Sequence, residues 1–157
     1  RGYAVGDKKI SKEELLEIYQ ALQKEFGLLS VEDPFMENDF ESFRILTQAG
    51  KTLVVGDDLT VTNIKLLRQA IDQKSISAII IKPNQIGTLT ETLATMQLAR
   101  ENGIELIVSH RSGETDDDFI ADLAFAFGCF GLKAGAPSKP ERMVKYNRLA
   151  KIVNLSD

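Results

Sequence analysis

Five polar side chains end five apolar runs along the chain, at intervals of 25, 25, 28 and 23 residues. Two are carboxylates, two are ammonium groups and one is an imidazole, which are the groups that bind ions and transfer protons in proteins. Each is followed by an amphipathic segment that is long enough to form a helix. The five residues are Glu32, Asp57, Lys82, His110 and Lys133.

Repeated apolar runs, each followed by an amphipathic segment, predict a βα repeat and therefore an α/β fold with parallel strands. In such sheets and barrels the loops at the carboxyl ends of the strands converge over a rigid core, and active sites lie there. We therefore expect the five side chains to face one end of the sheet.

Two acidic pairs follow the first two predicted strands: Glu32 with Asp33, and Asp57 with Asp58. Carboxylates that converge from different strands are a common way to hold Mg²⁺, a hard cation that prefers oxygen ligands. The competing interpretation is that these acidic residues only cap the helices that follow them. Two acidic pairs at successive strand ends favour the metal site.

Lys82 directly follows the apolar run Ala78–Ile81, so its side chain starts from a buried strand. An ammonium group is costly there unless it reaches a polar cavity. Nearby divalent cations would disfavour its charged form and lower its pKa toward the value that a general base needs. The competing interpretation is a lysine that extends to solvent at the rim of the sheet. Lys133 has the same two interpretations.

The segment SHRSGET, residues 109–115, places an imidazole, a guanidinium and a hydroxyl in the loop after the fourth predicted strand. Arg111 can bind a phosphate or carboxylate through two parallel hydrogen bonds, and Ser112 can donate a hydrogen bond or act as an oxygen ligand. His110 is the only histidine of the chain. The residues 116–118 are all aspartates and are expected to open the next helix, where they would repel an anion. We therefore expect an anion on the loop and Arg111.

The remaining pattern predicts one helix followed by five strand-helix units in a single domain, residues 1–157. A capping box of Ser11 and Glu14 begins the first helix, which continues to about Phe26. Later helices are expected to begin at Asn38, at Thr62 or Asn63, and at Thr88. Residues 1–9 are expected to form a loop without a strand. No linker or change of composition divides the chain. The predicted strands are 28–32, 52–55, 78–82, 104–109 and 131–134.

Composition excludes several classes of function. With 43% hydrophobic and 27% charged residues, the 157-residue chain resembles ordinary soluble domains. The net charge of −4 is spread over interspersed residues, which argues against binding of nucleic acid or of an anionic membrane. Cys129 cannot pair within the chain, and no apolar run is long enough for a membrane span. A cytoplasmic location is expected.

Five parallel strands fit either a complete open doubly wound sheet or most of a (β/α)8 barrel, and periodicity does not separate the two. A closed barrel takes about 250 residues. On the barrel interpretation, this chain supplies only the carboxyl-terminal part.

Five segments of the sequence resemble the carboxyl-terminal barrel domain of the enolase family, phosphopyruvate hydratase, in the order and near the spacing of that family. The resemblance covers essentially the whole chain and implies an α/β fold: the carboxyl-terminal five βα units of a TIM-type (β/α)8 barrel, incomplete in this chain. The segments are SVEDPF, VGDDLTVTN, IIIKPNQIGTLTET, SHRSGETDDDFIADLA and GLKAGAPSKPERMVKYNRLAKI.

By position, the resemblance implies that Glu32 and Asp57 are ligands of the tighter Mg²⁺. It implies that Lys82 is the base that removes the C2 proton of 2-phosphoglycerate during reversible dehydration to phosphoenolpyruvate. The general acid and a third carboxylate of this metal site would lie upstream of the chain.

The same resemblance assigns the remaining candidates to substrate binding. His110 would line the substrate, Arg111 and Ser112 would meet the phosphate and the second metal, and Lys133 would hold the substrate carboxylate. It also implies an amino-terminal half as a partner of this chain and a homo-oligomeric full enzyme.

Three hypotheses follow. The chain is part of a working enolase, or a non-catalytic half-barrel scaffold or binding module derived from enolase, or an unrelated five-stranded phosphate-binding domain. The quoted segments argue against the third. Retention of Lys82, Arg111, Ser112 and Lys133 favours the first over the second.

Overall fold

The computed structural model describes residues 2–156 and begins with a short hairpin. Strands β1 (Tyr3–Val5) and β2 (Lys8–Ile10) pair antiparallel, so the prediction of a strandless opening loop was wrong. Gly6 adopts φ 59° in the two-residue turn, a left-handed conformation that glycine accepts without a steric penalty. Gly-Asp is a known hairpin signal, but each strand has only three residues, too few to show an alternating pattern.

Helix α1 (Lys12–Phe26) begins and ends as predicted. The Ser11 hydroxyl accepts a hydrogen bond from the Glu14 amide, and the Glu14 carboxylate accepts one from the Ser11 amide. These two bonds satisfy amide groups that the first helical turn leaves free. Gly27, with φ 58°, ends the helix.

Five parallel strands form the main sheet, and their spatial order equals their order in the chain. The predicted strands are therefore confirmed, with boundaries shifted by up to two residues. They are β3 (Ser30–Glu32), β4 (Leu53–Gly56), β5 (Ala78–Ile81), β6 (Glu105–Ser109) and β7 (Gly131–Lys133).

Helices follow each strand of this sheet, and two of them begin at a predicted cap. Asn63 and Thr88 cap two of them through their side chains, while Asp39, next to the expected Asn38, caps a third. The residues 116–118 do not open a helix as expected, because α6 begins only at Phe119. The helices are α2 (Phe40–Ala49), α3 (Ile64–Asp72), α4 (Pro83–Ile86), α5 (Leu89–Glu101), α6 (Phe119–Ala126) and α7 (Pro140–Ser156).

The two faces of the sheet bury different apolar clusters. Val54, Ile79 and Val108 point toward the helices and belong to the large core cluster. Val55 and Ile80 point to the other face and form a small separate cluster. Because strand side chains alternate between faces, the three central strands contribute to both clusters. Helices that cover only one face of a sheet are the arrangement of a barrel wall.

An ion pair between the two outermost strands shows that the sheet is strongly curled. In a flat sheet, β3 and β7 would be about 19 Å apart, which is four strand spacings of about 4.8 Å. Yet the Lys133 ammonium nitrogen lies 2.5 and 2.8 Å from the two carboxylate oxygens of Glu32. The five strands therefore form the curved wall of an incomplete TIM-type barrel, as the sequence predicts.

We expect the isolated 157-residue chain to self-associate. Within residues 2–156, β3 and β7 each pair with one strand only, and Leu29 and Phe130 beside them are 70% and 45% exposed. Unpaired strand edges with apolar neighbours promote association. Sedimentation velocity at about 10–100 μM protein should show species larger than a monomer.

A double substitution tests the cause of this association. Leu29→Lys with Phe130→Lys places charges beside both edges and should restore the monomer, whereas Leu155→Lys, at an exposed position in α7, should not. A wild-type chain that stays monomeric throughout this range would contradict the prediction.

Candidate active site

Strand register brings Glu32 and Lys133 to the inner, concave face of the curved sheet. Glu32 is paired with Val55, which belongs to the inner cluster, and Lys133 is paired with Ser109. Ser109 lies two residues after Ile107, which also packs against the inner cluster. The sequence analysis did not single out Ser109, although the period-two alternation could have identified it.

Two lysine-carboxylate ion pairs lie at the carboxyl ends of these strands. The Lys82 ammonium donates to both oxygens of Asp57, at 2.7 and 2.6 Å, and these side chains are only 13% and 12% exposed. Lys133 and Glu32, described above, are 41% and 34% exposed. The first pair is therefore the more shielded from water. Charges attract each other more strongly when water is excluded. The structure does bring both lysines and both acidic candidates to one end of the sheet.

Asp33 fixes the backbone of the neighbouring acidic turn. It adopts φ 42°, which is uncommon for a residue other than glycine. Its two carboxylate oxygens accept hydrogen bonds from the amides of Asp57 and Asp58, at 2.9 and 2.8 Å. Burial raises the pKa of Asp33, while the two amide hydrogen bonds partly oppose that rise.

Three acidic side chains of the described residues form a cluster, and this cluster is not the predicted metal-ligand pair. Asp33, Asp57 and Asp58 each present an oxygen within 4.8 Å of the others. Glu32 instead contacts Lys133. The metal-ligand pair Glu32 and Asp57 therefore stays a prediction. Sequence reasoning had noted Asp33 and Asp58 only as neighbours of the candidate ligands.

Thr62 positions the backbone of Lys82. Its buried hydroxyl accepts a hydrogen bond from the Lys82 amide at 2.9 Å, and its carbonyl accepts one from the Thr95 hydroxyl at 3.0 Å. Val61 and Thr62 have φ 42° and 58°, conformations that are strained for β-branched residues and that often occur at functional sites. The sequence suggested Thr62 only as a helix start, since backbone strain leaves no sequence signal here.

His110 is bound to the last strand through two groups. Its main-chain amide and its ring Nδ1 both lie 2.8 Å from the Lys133 carbonyl oxygen. Because a carbonyl only accepts, Nδ1 carries a proton, and Nε2 is the acceptor when the ring is neutral. His110 is thus held next to Lys133, as the predicted site requires.

Arg111 lines a cavity of about 370 Å³ together with residues that include Asn84, Ser109 and Gly113. The Arg111 guanidinium donates to the Asn84 side-chain oxygen at 3.2 Å, and Ser112 is exposed. Asn84 belongs to α4, a single turn that the sequence analysis did not predict. The loop therefore presents a guanidinium at an open cavity and an exposed hydroxyl at the next residue, and both groups can bind a phosphate.

The Glu114 side chain binds the backbone of this loop and also Lys145 of α7. One carboxylate oxygen accepts from the Arg111 amide at 2.7 Å, and the other lies 2.8 Å from the Lys145 ammonium. Burial would raise the pKa of Glu114, but the hydrogen bonds from Lys145 and the Arg111 amide outweigh it, so the pKa is lowered.

Among residues 2–156, no helix has the length and apolar composition needed to cross a membrane.

Comparison with known proteins agrees with this geometry. The family described as "Enolase, C-terminal TIM barrel domain" matches residues 3–156. The chain is 51% identical to an enolase of Sulfurisphaera tokodaii over 97% of its own length and 37% of that protein. It is 49% identical to an enolase of Methanocaldococcus jannaschii over 96% of its length and 36% of that protein. An enolase of Aeropyrum pernix is 48% identical over 98% of this chain and 36% of its own length.

The chain thus spans little more than a third of these relatives. The match covers all five strands and every candidate residue. An unrelated five-stranded phosphate-binding domain is therefore excluded, and the chain belongs to the enolase family.

Proposed function

We propose that this chain supplies the carboxyl-terminal part of the active site of an Mg²⁺-dependent enolase. The reaction is the reversible dehydration of 2-phosphoglycerate to phosphoenolpyruvate in glycolysis and gluconeogenesis. The observation that carries the proposal is the contact between Lys82 and Asp57. It places the candidate base beside a candidate metal ligand. A cytoplasmic location and a homo-oligomeric full enzyme belong to the same proposal.

The candidate residues at the carboxyl ends of the strands, which form the mouth of the incomplete barrel, fit Mg²⁺. Glu32 and Asp57 are oxygen donors of the kind that this hard cation prefers. In the structure each carboxylate contacts an ammonium, which would have to move away from the carboxylate as Mg²⁺ binds. When bound, Mg²⁺ would act as a Lewis acid that stabilises negative charge on the substrate carboxylate. The amide hydrogen bonds to Asp33 would hold the Asp57 backbone in place.

Lys82 would remove the C2 proton of 2-phosphoglycerate through its Nζ atom. It must be neutral to accept that proton, and the proton then stays on Nζ until the reverse step or exchange with solvent. Removal of the proton adds charge to an already anionic carboxylate, and the Lys133 ammonium would stabilise this charge. Lys82 and Lys133 thus have opposite roles: one accepts a proton and the other remains a cation.

The remaining residues would orient the substrate. Arg111 and Ser112 would bind its phosphate, and His110 would line the site next to Lys133. Release of the C3 hydroxyl as water needs a general acid, which we propose to lie upstream of residue 1. A third carboxylate for the metal site is proposed to lie there as well.

The proposal is tested with a full-length enolase that bears this sequence as its carboxyl-terminal part. Phosphorus NMR should show conversion of 2-phosphoglycerate to phosphoenolpyruvate, and a chelator should stop it. 3-Phosphoglycerate, the matched control, should not be dehydrated. If 2-phosphoglycerate binds without conversion in excess Mg²⁺, the non-catalytic scaffold is the correct alternative.

A further inference from the structure

Helix α7 holds the loop of residues 110–115 through an ammonium group that the proposed reaction does not use. Lys145 is 1% exposed, the lowest value among the charged side chains of residues 2–156. Its ammonium donates to the carbonyls of Thr115 and Glu141, at 2.6 and 2.7 Å, and contacts the Glu114 carboxylate at 2.8 Å. These three contacts use all its donors. A buried ammonium without partners would be strongly disfavoured. The contacts of Lys145 with the loop are therefore expected to be kept whenever the chain is folded.

Arg142, one turn earlier on α7, holds the same loop from a second direction. Its two terminal nitrogens donate to the carbonyls of Arg111 and Ser112, at 2.9 and 3.0 Å. Gly135 allows this approach: it has φ 85°, and a Cβ there would lie 3.1 Å from the Arg142 Cδ atom. The planar guanidinium thus bridges two successive carbonyls through two separate nitrogens, a geometry that the single nitrogen of a lysine does not reproduce.

The result is a loop whose backbone is fixed while its ligand-binding groups remain available. The Arg111 amide is bonded to Glu114 and its carbonyl to Arg142. In the described part of the chain, the Arg111 guanidinium has one hydrogen bond, to Asn84, and Ser112 is exposed. Both side chains are therefore available to a ligand, and their backbone has little freedom left to lose on binding.

We propose that Arg142 and Lys145 are positioning residues for phosphate: they hold the Arg111 and Ser112 backbone so that the guanidinium and hydroxyl bind a phosphate without reordering the loop. This inference rests on the proposed function, which assigns the phosphate to that loop. Neither residue touches the ligand. Their contribution is to remove the entropy cost of ordering the loop on binding.

The test uses the same full-length enzyme and inorganic phosphate as the probe, titrated calorimetrically in excess Mg²⁺. Arg142→Gln should weaken phosphate binding about tenfold or more, and Arg142→Lys, which reaches one carbonyl, should recover part of the loss. KM for 2-phosphoglycerate should rise more than kcat falls. The matched control is Arg148→Gln, which removes a two-bond ion pair between α7 and Asp122 of α6. It should leave phosphate affinity unchanged.

Thermal unfolding of each variant separates positioning from general stability. The inference is overturned if Arg142→Gln binds phosphate with wild-type affinity and only lowers the Tm, as Arg148→Gln does. Lys145→Met leaves the largely shielded Glu114 carboxylate without its ammonium partner and is expected to fold poorly. Glu114→Gln is therefore used in place of Lys145→Met. This variant keeps an acceptor for the Arg111 amide but removes the charge that faces Lys145. It should also weaken phosphate binding.

The two proposals fail in different ways. A wild-type enzyme that binds phosphate but does not dehydrate 2-phosphoglycerate contradicts the proposed function, while loss of phosphate affinity in Arg142→Gln still supports the positioning role. An active wild type whose phosphate affinity is insensitive to Arg142 contradicts the positioning role alone.

Discussion

Lys82→Ala in the full-length enzyme is expected to abolish exchange of the C2 proton of 2-phosphoglycerate in heavy water. Loss of a general base slows proton transfer by about 10²- to 10⁴-fold. The measurement is proton NMR of the C2 signal at saturating substrate. Near-normal exchange would show that another residue is the base, and the part of the enzyme outside this chain would be the place to look for it.

Binding data on the same variant separate a lost base from a damaged site. Because Lys82 contacts both oxygens of Asp57, its removal frees a candidate metal ligand. Mg²⁺ affinity should therefore be unchanged or higher in Lys82→Ala. Lys133→Ala is the comparison: it should raise KM as well as slow exchange, since its charge meets the substrate in the ground and transition states. A marked loss of Mg²⁺ affinity in Lys82→Ala would contradict this description.

Asp57→Asn in the same enzyme should weaken Mg²⁺ binding about 100-fold or more, since changes to groups that only support metal ligands already cost 10- to 100-fold. Calorimetric titration of Mg²⁺ provides the measurement. Lys82 also loses its partner, so exchange at C2 should fall even at saturating metal.

Two further substitutions separate the predicted ligand pair from the acidic cluster. Glu32→Gln should weaken Mg²⁺ binding as strongly as Asp57→Asn if Glu32 is a ligand. Asp58→Asn removes the same charge from an exposed cluster member and should have a smaller effect. If Asp58→Asn is the more damaging of the two, the metal lies on the cluster of Asp33, Asp57 and Asp58, and the assignment of Glu32 is wrong.

Much of the fold could be predicted because its signals are local. The capping box at Ser11 and the caps at Asn63 and Thr88 depend on groups within three residues of each other. The buried strand Ala78–Ile81 is apolar at every position, and such runs predict strands buried on both faces. The hairpin and α4 were missed because three or four residues are too few to display a period.

The features of the site that were missed depend on contacts between distant residues. Asp33 bonds amides 24 and 25 residues away, and Lys145 bonds a carbonyl 30 residues away. In the sequence, Lys145 appears as one charge of an ordinary amphipathic helix, and its burial depends on the position of a loop that periodicity does not describe. The candidate side chains at the strand ends could be identified from the sequence, whereas the residues that hold them in position could not.

The ion pair between Lys133 and Glu32 also has a consequence for folding. It joins residues 101 positions apart, while the Lys82 to Asp57 pair spans 25. Contacts between distant residues close larger loops and tend to form later. During refolding, the pair in the middle of the sheet can form once β4 and β5 are adjacent, but the outer pair needs all five strands. Closure of the mouth would then be among the last steps, and an intermediate lacking β7 would have Asp57 and Lys82 in contact while Glu32 remained free.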